Sequence, residues 1–248
     1  MCEPARDFMH TFIWEEGTGD RGADNIITCV YMWLVAKGIV PANAEELATW
    51  DKPKLKHLVI GADNCTGQNK NKAMIKFCMW LHESGYIDKV TLLFLIKGHT
   101  KNDCDRKFNE LKMKQNNKNI WDAKSLDAAL SEINGDGILL KRVEEEDTWK
   151  AWGDSLGDAY RDPESGTITC NHIFEFGMDE DKCVVTRRKF CDAESNSYCM
   201  RVSSKATSRA CACMNPQQRA EHIKNIPLNL NVIPQPGLSA VFTAERPG

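Results

Sequence analysis

Residues 58–71 read Leu-Val-Ile-Gly-Ala-Asp-Asn-Cys-Thr-Gly-Gln-Asn-Lys-Asn. The apolar start belongs to a short continuous run, Lys56-His-Leu-Val-Ile-Gly-Ala62, the mark of a central strand buried on both faces. The run ends at Asp63 and a polar loop. Met74, Phe77, Trp80 and Leu81 then recur at helical spacing and predict a helix over 69–84.

The same texture extends outward. Lys89-Val-Thr-Leu-Leu-Phe-Leu-Ile96 is the strongest strand signal, again apolar on both faces, and Gly98-His-Thr-Lys-Asn-Asp-Cys-Asp105 is a loop entering a helix that reaches about Lys114, with Phe108 and Leu111 inward. Upstream, His10-Thr-Phe-Ile-Trp14 reads as a strand, 17–22 as a glycine-rich turn, and 23–37 as a helix carried by Ile26, Ile27, Val30, Tyr31 and Leu34, with Gly38 as its C-cap and Pro41 beyond. Alternating strands and helices imply an α/β sheet with parallel neighbours.

Past Gln115 the pattern weakens. Helices are expected over 125–133 and 144–160, and antiparallel strands over 167–176 and 182–187. Residues 214–248 hold five prolines and few apolar clusters and are expected to form a loosely ordered tail. The chain thus divides into a core at 1–120, a helical and β appendage at 121–213, and the tail.

Of 248 residues, 42% are hydrophobic and 27% charged, and the net charge is −3. That is globular composition, with no global basic bias toward nucleic acid or membrane, so any basic surface is local. No apolar run reaches the roughly 20 residues of a membrane span. The N-terminus lacks the basic and apolar regions of a secretory leader, so an intracellular location, the nucleus included, is expected. The eleven cysteines are then expected as thiols. Six crowd into 170–213, but neither the steps from Cys183 to Cys191 to Cys199 nor Cys211-Ala-Cys213 matches the paired knuckles of a zinc site. Small buried hydrophobes are the favoured reading.

Asp63 lies where a parallel strand gives way to a helix, the place where open α/β sheets bind ligands. Asp105 follows the next strong strand, and Glu16 ends the first one. Three carboxylates at one sheet edge are what two Mg²⁺ or Mn²⁺ ions need for phosphoryl transfer. Asn64, Gln68 and Asn69 add neutral polar groups. Lys70, Lys72, Lys97, Lys101, Arg106 and Lys107 form a local positive fringe that a phosphate backbone would use. The alternative for Asp63 is a helix cap, a job Asn64 or Thr66 would also do. His99 reads as a hydrogen-bonded loop residue before a ligand.

Three segments, Trp14-Glu-Glu-Gly-Thr-Gly-Asp-Arg-Gly-Ala23, 62–71 and Gly98-His-Thr-Lys-Asn-Asp-Cys-Asp-Arg-Lys-Phe108, resemble a domain of unknown function common in transposon-derived proteins. The resemblance spans about residues 8 to 115, with a weaker echo at Asn171-His-Ile-Phe174. It implies a ribonuclease H-like mixed sheet flanked by helices, of the DDE-transposase type, followed by a small α+β appendage. It implies Asp63, Asp105 and Glu16 as catalytic, with Asp63 and Asp105 holding Mg²⁺ or Mn²⁺. Asn64, Gln68, Asn69, Lys70, His99, Lys101 and Arg106 would contact substrate, and DNA is the implied partner. The family places a further carboxylate on a strand upstream of residues 8–14. The chain is therefore expected to be incomplete at its N-terminus and to be a degenerate metal-dependent nucleic-acid phosphoryl transferase. The competing class is a non-catalytic remnant that binds nucleic acid or protein.

Overall fold

A computed structural model describes residues 1–15, 17–95, 103–116, 118, 120, 122, 125–126, 128–129, 132, 137–144, 149–164, 166–177, 184–187, 196–198 and 216–230. The fold is mixed α/β, with strands in two sheets. The larger has five strands in the order β3 (Leu55–Ala62), β4 (Ile87–Phe94), β6 (Ile173–Phe176), β7 (Val184–Arg187) and β8 (Asn196–Tyr198). The smaller has β1 (Cys2–Glu3), β2 (Phe8–Ile13) and β5 (Ile138–Arg142).

β3 and β4 run parallel, with Leu58 opposite Val90 and Ala62 opposite Phe94. Parallel neighbours need a crossover, and α3 (Lys72–Glu83) supplies it. β4 to β8 continue as antiparallel pairs. In the smaller sheet β2 pairs antiparallel with β1 and parallel with β5.

The core is organised around α3. Residues 74–81 are all buried, as expected of a helix packed on every side. Its Phe77 and Trp80 stack at 5.5 Å, and Trp152 meets Phe77 edge-on at 5.1 Å. The inner sheet face adds Leu58, Val90, Leu92, Phe174 and Phe176. α1 (Ala23–Ala36) presents Ile27, Val30, Tyr31 and Leu34 to the same core, following its 3.6-residue period, and the short α2 (Ala44–Ala48) lies between α1 and β3 in the chain. It ends as read from sequence: Gly38 takes φ +64, its N–H donates to the Val35 carbonyl, and Ile39 N–H reaches back to Leu34.

Several expectations are corrected. β3 is not central but an edge strand, paired with β4 alone among the described residues, and Val59 is half exposed. The strand at 8–13 does not join the β3–β4 sheet but pairs with β5, which the sequence analysis did not identify. A continuous apolar run reports a local pattern, whereas strand order is settled by which faces and edges find partners. Of the expected helix over 144–160, α5 covers Trp152–Ala159, and among the described residues before it 144 and 149–151 are not helical. Trp149 lies outside it and packs on Trp14 at 5.2 Å. Residues 167–170 form a helical turn, α6 (Thr167–Cys170), where a strand is expected; Gly166 at φ +82 turns the chain into it. Within the expected tail, α7 (Pro216–Asn225) is helical, and Ile223, Ile226 and Leu230 are buried in the main core. Pro216 is harmless at a helix start, and three apolar anchors at helical spacing suffice to dock the segment.

Among the described residues no helix is long and apolar enough to cross a membrane. Of the expected helix at 125–133, residues 125, 126, 128 and 129 are helical and 132 is in a turn, the others lying outside the described residues; the cysteines at 183, 191, 199, 211 and 213 also lie outside them.

Candidate functional site

The polar groups of the 63–71 loop are largely satisfied by one another. As β3 ends, Leu95 N–H donates to the Ala62 carbonyl at 2.9 Å. Asp63 then turns the chain: its Oδ1 accepts the Cys65 N–H at 3.1 Å and the Asn69 side-chain amide at 2.6 Å. The Cys65 carbonyl accepts from the backbone N–H groups of Gln68, Asn69 and Lys70. Asn64 bridges to the neighbouring strand, its Nδ2 donating to the Leu95 carbonyl while its Oδ1 accepts from Lys70 Nζ at 3.1 Å. Lys70 is buried, with its ammonium 5.2 Å from the centre of the Phe94 ring. Burial pushes its pKa down, opposed by the nearby Cys170 thiol.

The helix cap falls to Asn71, whose side chain accepts the Met74 N–H at 3.0 Å. Asp63, Asn64 and Thr66 are the residues expected from sequence for this role, and Asn71, of a type among the favoured N-caps, is not. Replacing Asn71 with alanine is expected to lower stability by about 1 kcal/mol, measured by denaturant unfolding. An unchanged midpoint would mean the cap contributes nothing to α3.

The start of β6 closes the far side of the loop. Phe94 N–H donates to the His172 carbonyl at 2.8 Å, and His172 Nδ1 lies 3.2 Å from the Phe94 carbonyl. The echo at 171–174 is thereby joined to the strand that carries Phe94 and Leu95.

Asp105 and Arg106 lie in α4 (Asp103–Asn116), both exposed. Asp105 lines a cavity of about 990 Å³ together with Val59, Gly61 and Leu95 of the sheet, Met113 of α4, and Pro4. Gly61 is two residues before Asp63, so the cavity and the loop share the carboxyl end of the β3–β4 pair. α4 is seated on the smaller sheet through Leu111, which packs with Met9 and Ile138.

Lys97 lies outside the described residues, as does Lys101; among the described residues the positive fringe is largely paired within the molecule. Arg106 and Lys107 pair with Asp7 at 3.1 and 3.4 Å. Lys72 and Lys76 each pair with Asp162 at 2.7 Å. Sequence reasoning missed Asp162, although Lys76 within the apolar stretch Met74-Ile-Lys-Phe-Cys-Met79 was the signal that a buried cation needs an anion. The lysines of the Asp63 loop and α3 are therefore structural in large part.

The structure thus brings Asp63, Asn64, Asn69 and Lys70 into one network and sets Asp105 and Arg106 on the wall of the adjoining cavity. Gln68 enters the network through its backbone. Glu16, His99 and Lys101 lie outside the described residues. Among the described residues no three His, Cys, Asp or Glu side chains form a group that could hold a metal ion.

One family model matches, over residues 45–193, and its description is a domain of unknown function (DUF7869). The match contains both Asp63 and Asp105. No curated protein and no solved structure matches the chain.

Proposed function

The chain belongs to the DUF7869 family, a domain of unknown function, and from that premise we propose that it is a metal-dependent nucleic-acid phosphoryl transferase of the ribonuclease H-like, transposase-derived class, degenerate in this copy. The observation that carries this reading is that Asp105 lines the same cavity as Gly61, which stands two residues before Asp63 at the carboxyl end of the parallel β3–β4 pair. That is where open α/β sheets bind ligands. The state of the Asp63 carboxylate adds support. Among the described residues both of its hydrogen bonds go to Oδ1, so Asn69 and the Cys65 N–H orient the group and leave Oδ2 without a protein donor. Orientation of a metal-binding carboxylate by such a partner is a recurrent arrangement. The residues suit Mg²⁺ or Mn²⁺, which take oxygen ligands, and DNA is the proposed substrate.

A second reading, a non-catalytic binding module derived from the same ancestor, draws on Asn64 and Lys70. Their polar groups serve each other and the Leu95 carbonyl, a structural role that needs no substrate.

Cleavage of labelled single- and double-stranded DNA under Mn²⁺ titration separates the two. Wild type is expected to cleave weakly, as a degenerate enzyme does, Asn69→Ala to lose about tenfold of that activity through poorer orientation of Asp63, and Asp63→Asn and Asp105→Asn to lose more. Equal activity in wild type and Asp63→Asn would end the catalytic reading. DNA binding without cleavage in any variant would establish the second.

A further inference from the structure

Gly61 sits inside β3, paired with Leu93 of β4. Strands disfavour glycine, and one that stands in a strand interior often marks the close approach of a ligand or another backbone. The fold itself does not call for it. Its backbone is not left-handed, and a Cβ built at this position meets no atom within 4 Å. Side chains alternate along a strand, so position 61 shares a face with Val59, opposite the core-facing Leu58. Val59 and Gly61 both line the cavity of about 990 Å³ beside Asp105. The missing side chain therefore leaves part of the cavity floor as bare backbone.

The chemistry of the lining narrows what enters. Val59, Leu95 and Met113 contribute apolar surface, with Val59 52% and Met113 70% exposed. Among the described lining residues the acids Asp105 and Glu110 outnumber the one base, Arg106, which is already paired with Asp7. That balance disfavours a phosphate inside the cavity. Asn109 is exposed on the same lining, and its amide offers a donor and an acceptor together. A neutral planar group with apolar faces and a hydrogen-bonding edge suits such a site, and a nucleobase is one. The volume, at the upper end of the range for ligand sites of about 300–1,000 Å³, also admits its sugar.

Position identifies the source of that base. Gly61 stands two residues before Asp63, the carboxylate that holds the cation at the scissile phosphate in the proposed site, and the base nearest that phosphate is one sugar away from it.

We infer that the cavity receives an unstacked base of the DNA strand, so that the site takes single-stranded or locally opened DNA in preference to an intact duplex. The inference rests on the phosphoryl-transfer reading for the identity of the ligand. A base paired and stacked in a duplex enters such a pocket only by extrusion, at an energetic cost that a single strand avoids.

The test is fluorescence anisotropy with the full chain, in a chelating buffer at one fixed salt concentration. The labelled probes are a single strand of mixed sequence, the same strand with abasic sites through its centre, and the duplex. The single strand is expected to bind saturably and about tenfold more tightly than either of the others. Gly61→Val adds a side chain where a Cβ meets no atom, and valine suits a strand. It is expected to lower single-strand affinity to that of the abasic probe, leaving abasic binding and melting temperature unchanged. Met113→Ser carries the same expectation and serves where Gly61→Val lowers the melting temperature. Equal affinity for base-bearing and abasic strands, tighter binding of the duplex, or base dependence that neither substitution alters would overturn the inference. So would the absence of saturable binding to all three probes. A parallel assay under Mn²⁺ separates the two readings. Cleavage without base-dependent binding would remove the pocket and leave the phosphoryl-transfer reading standing. Base-dependent binding that Gly61→Val abolishes, without cleavage, would do the reverse.

Discussion

Trp80→Ala is expected to lower stability by about 4 kcal/mol, the range for removing a large aromatic side chain from a core. For a domain of this size that is a fall of roughly 10 °C in melting temperature. Trp80 has no solvent exposure. Its ring stacks on Phe77 and lies 5.6 Å from Trp152, with Tyr31 and Tyr86 each 6.2 Å away. Truncation would leave a void among four rings too rigid to close it. The indole N–H also donates to the Ile223 carbonyl at 2.7 Å, linking α3 to α7. Trp80→Phe separates the two effects: it keeps a ring but leaves that carbonyl unpaired, at a cost of about 1–3 kcal/mol. Chemical denaturation followed by circular dichroism measures both. If Trp80→Ala lost under about 1 kcal/mol, against the usual 3–5, α7 would not be part of the cooperative core.

Asp162→Ala is expected to lower stability by about 2 kcal/mol. Breaking a buried pair usually costs about 3–5 kcal/mol, but the Asp162 side chain is 49% exposed, and solvent screening reduces the loss. The loss arises mainly at Lys76, which is buried in α3 and would keep its charge with no anion beside it. Lys76→Met in the Asp162→Ala background is expected to recover most of the loss, because it removes the stranded charge and retains the packing. The pH dependence has a definite sign. Hydrogen bonds from Lys72 and then Lys76 lower the Asp162 pKa from 3.8 to about 2. A carboxylate with a lowered folded-state pKa contributes stability that is complete above its unfolded value and is lost as pH falls. Wild type is therefore expected to lose this contribution between about pH 4 and pH 2, and Asp162→Ala to show a shallower fall over that window. Parallel acid-unfolding curves for the two proteins would contradict the assignment.

These two residues also mark how differently the sequence reads in its two halves. Trp80 is legible from spacing alone, because Met74, Phe77, Trp80 and Leu81 follow the helical period, and α3 buries all four. Asp162 is not, because its partners lie 86 and 90 residues earlier in the chain, at Lys76 and Lys72; Lys76 in its apolar stretch signals that an anion is needed but not which residue supplies it. The candidate site divides in the same way. The order of strand, Asp63 loop and helix, and the crossover to a parallel strand, follow from short-range pattern. The roles of Asn64 and Lys70 do not. Both are polar residues in a loop and suggest substrate contacts, yet Asn64 reaches the Leu95 carbonyl and Lys70 is drawn beneath the loop onto Phe94, contacts that exist only once β4 lies beside β3.

By itself the sequence determined the elements whose signals are local: the α1 helix and its Gly38 terminus, the β3–α3–β4 unit, and Asp63 at the strand end. Helical period, capping chemistry and apolar runs act over a few residues, so they are written in consecutive positions. Only the tertiary structure decided that β3 is an edge rather than a centre, that β2 pairs with β5 in a separate sheet, that α7 closes the core, and that Asp105 faces a cavity beside Gly61. Each of these depends on which surfaces meet at long range. An apolar run such as 58–62 is equally compatible with one strand neighbour or two, and the choice rests with the partners that the rest of the chain provides.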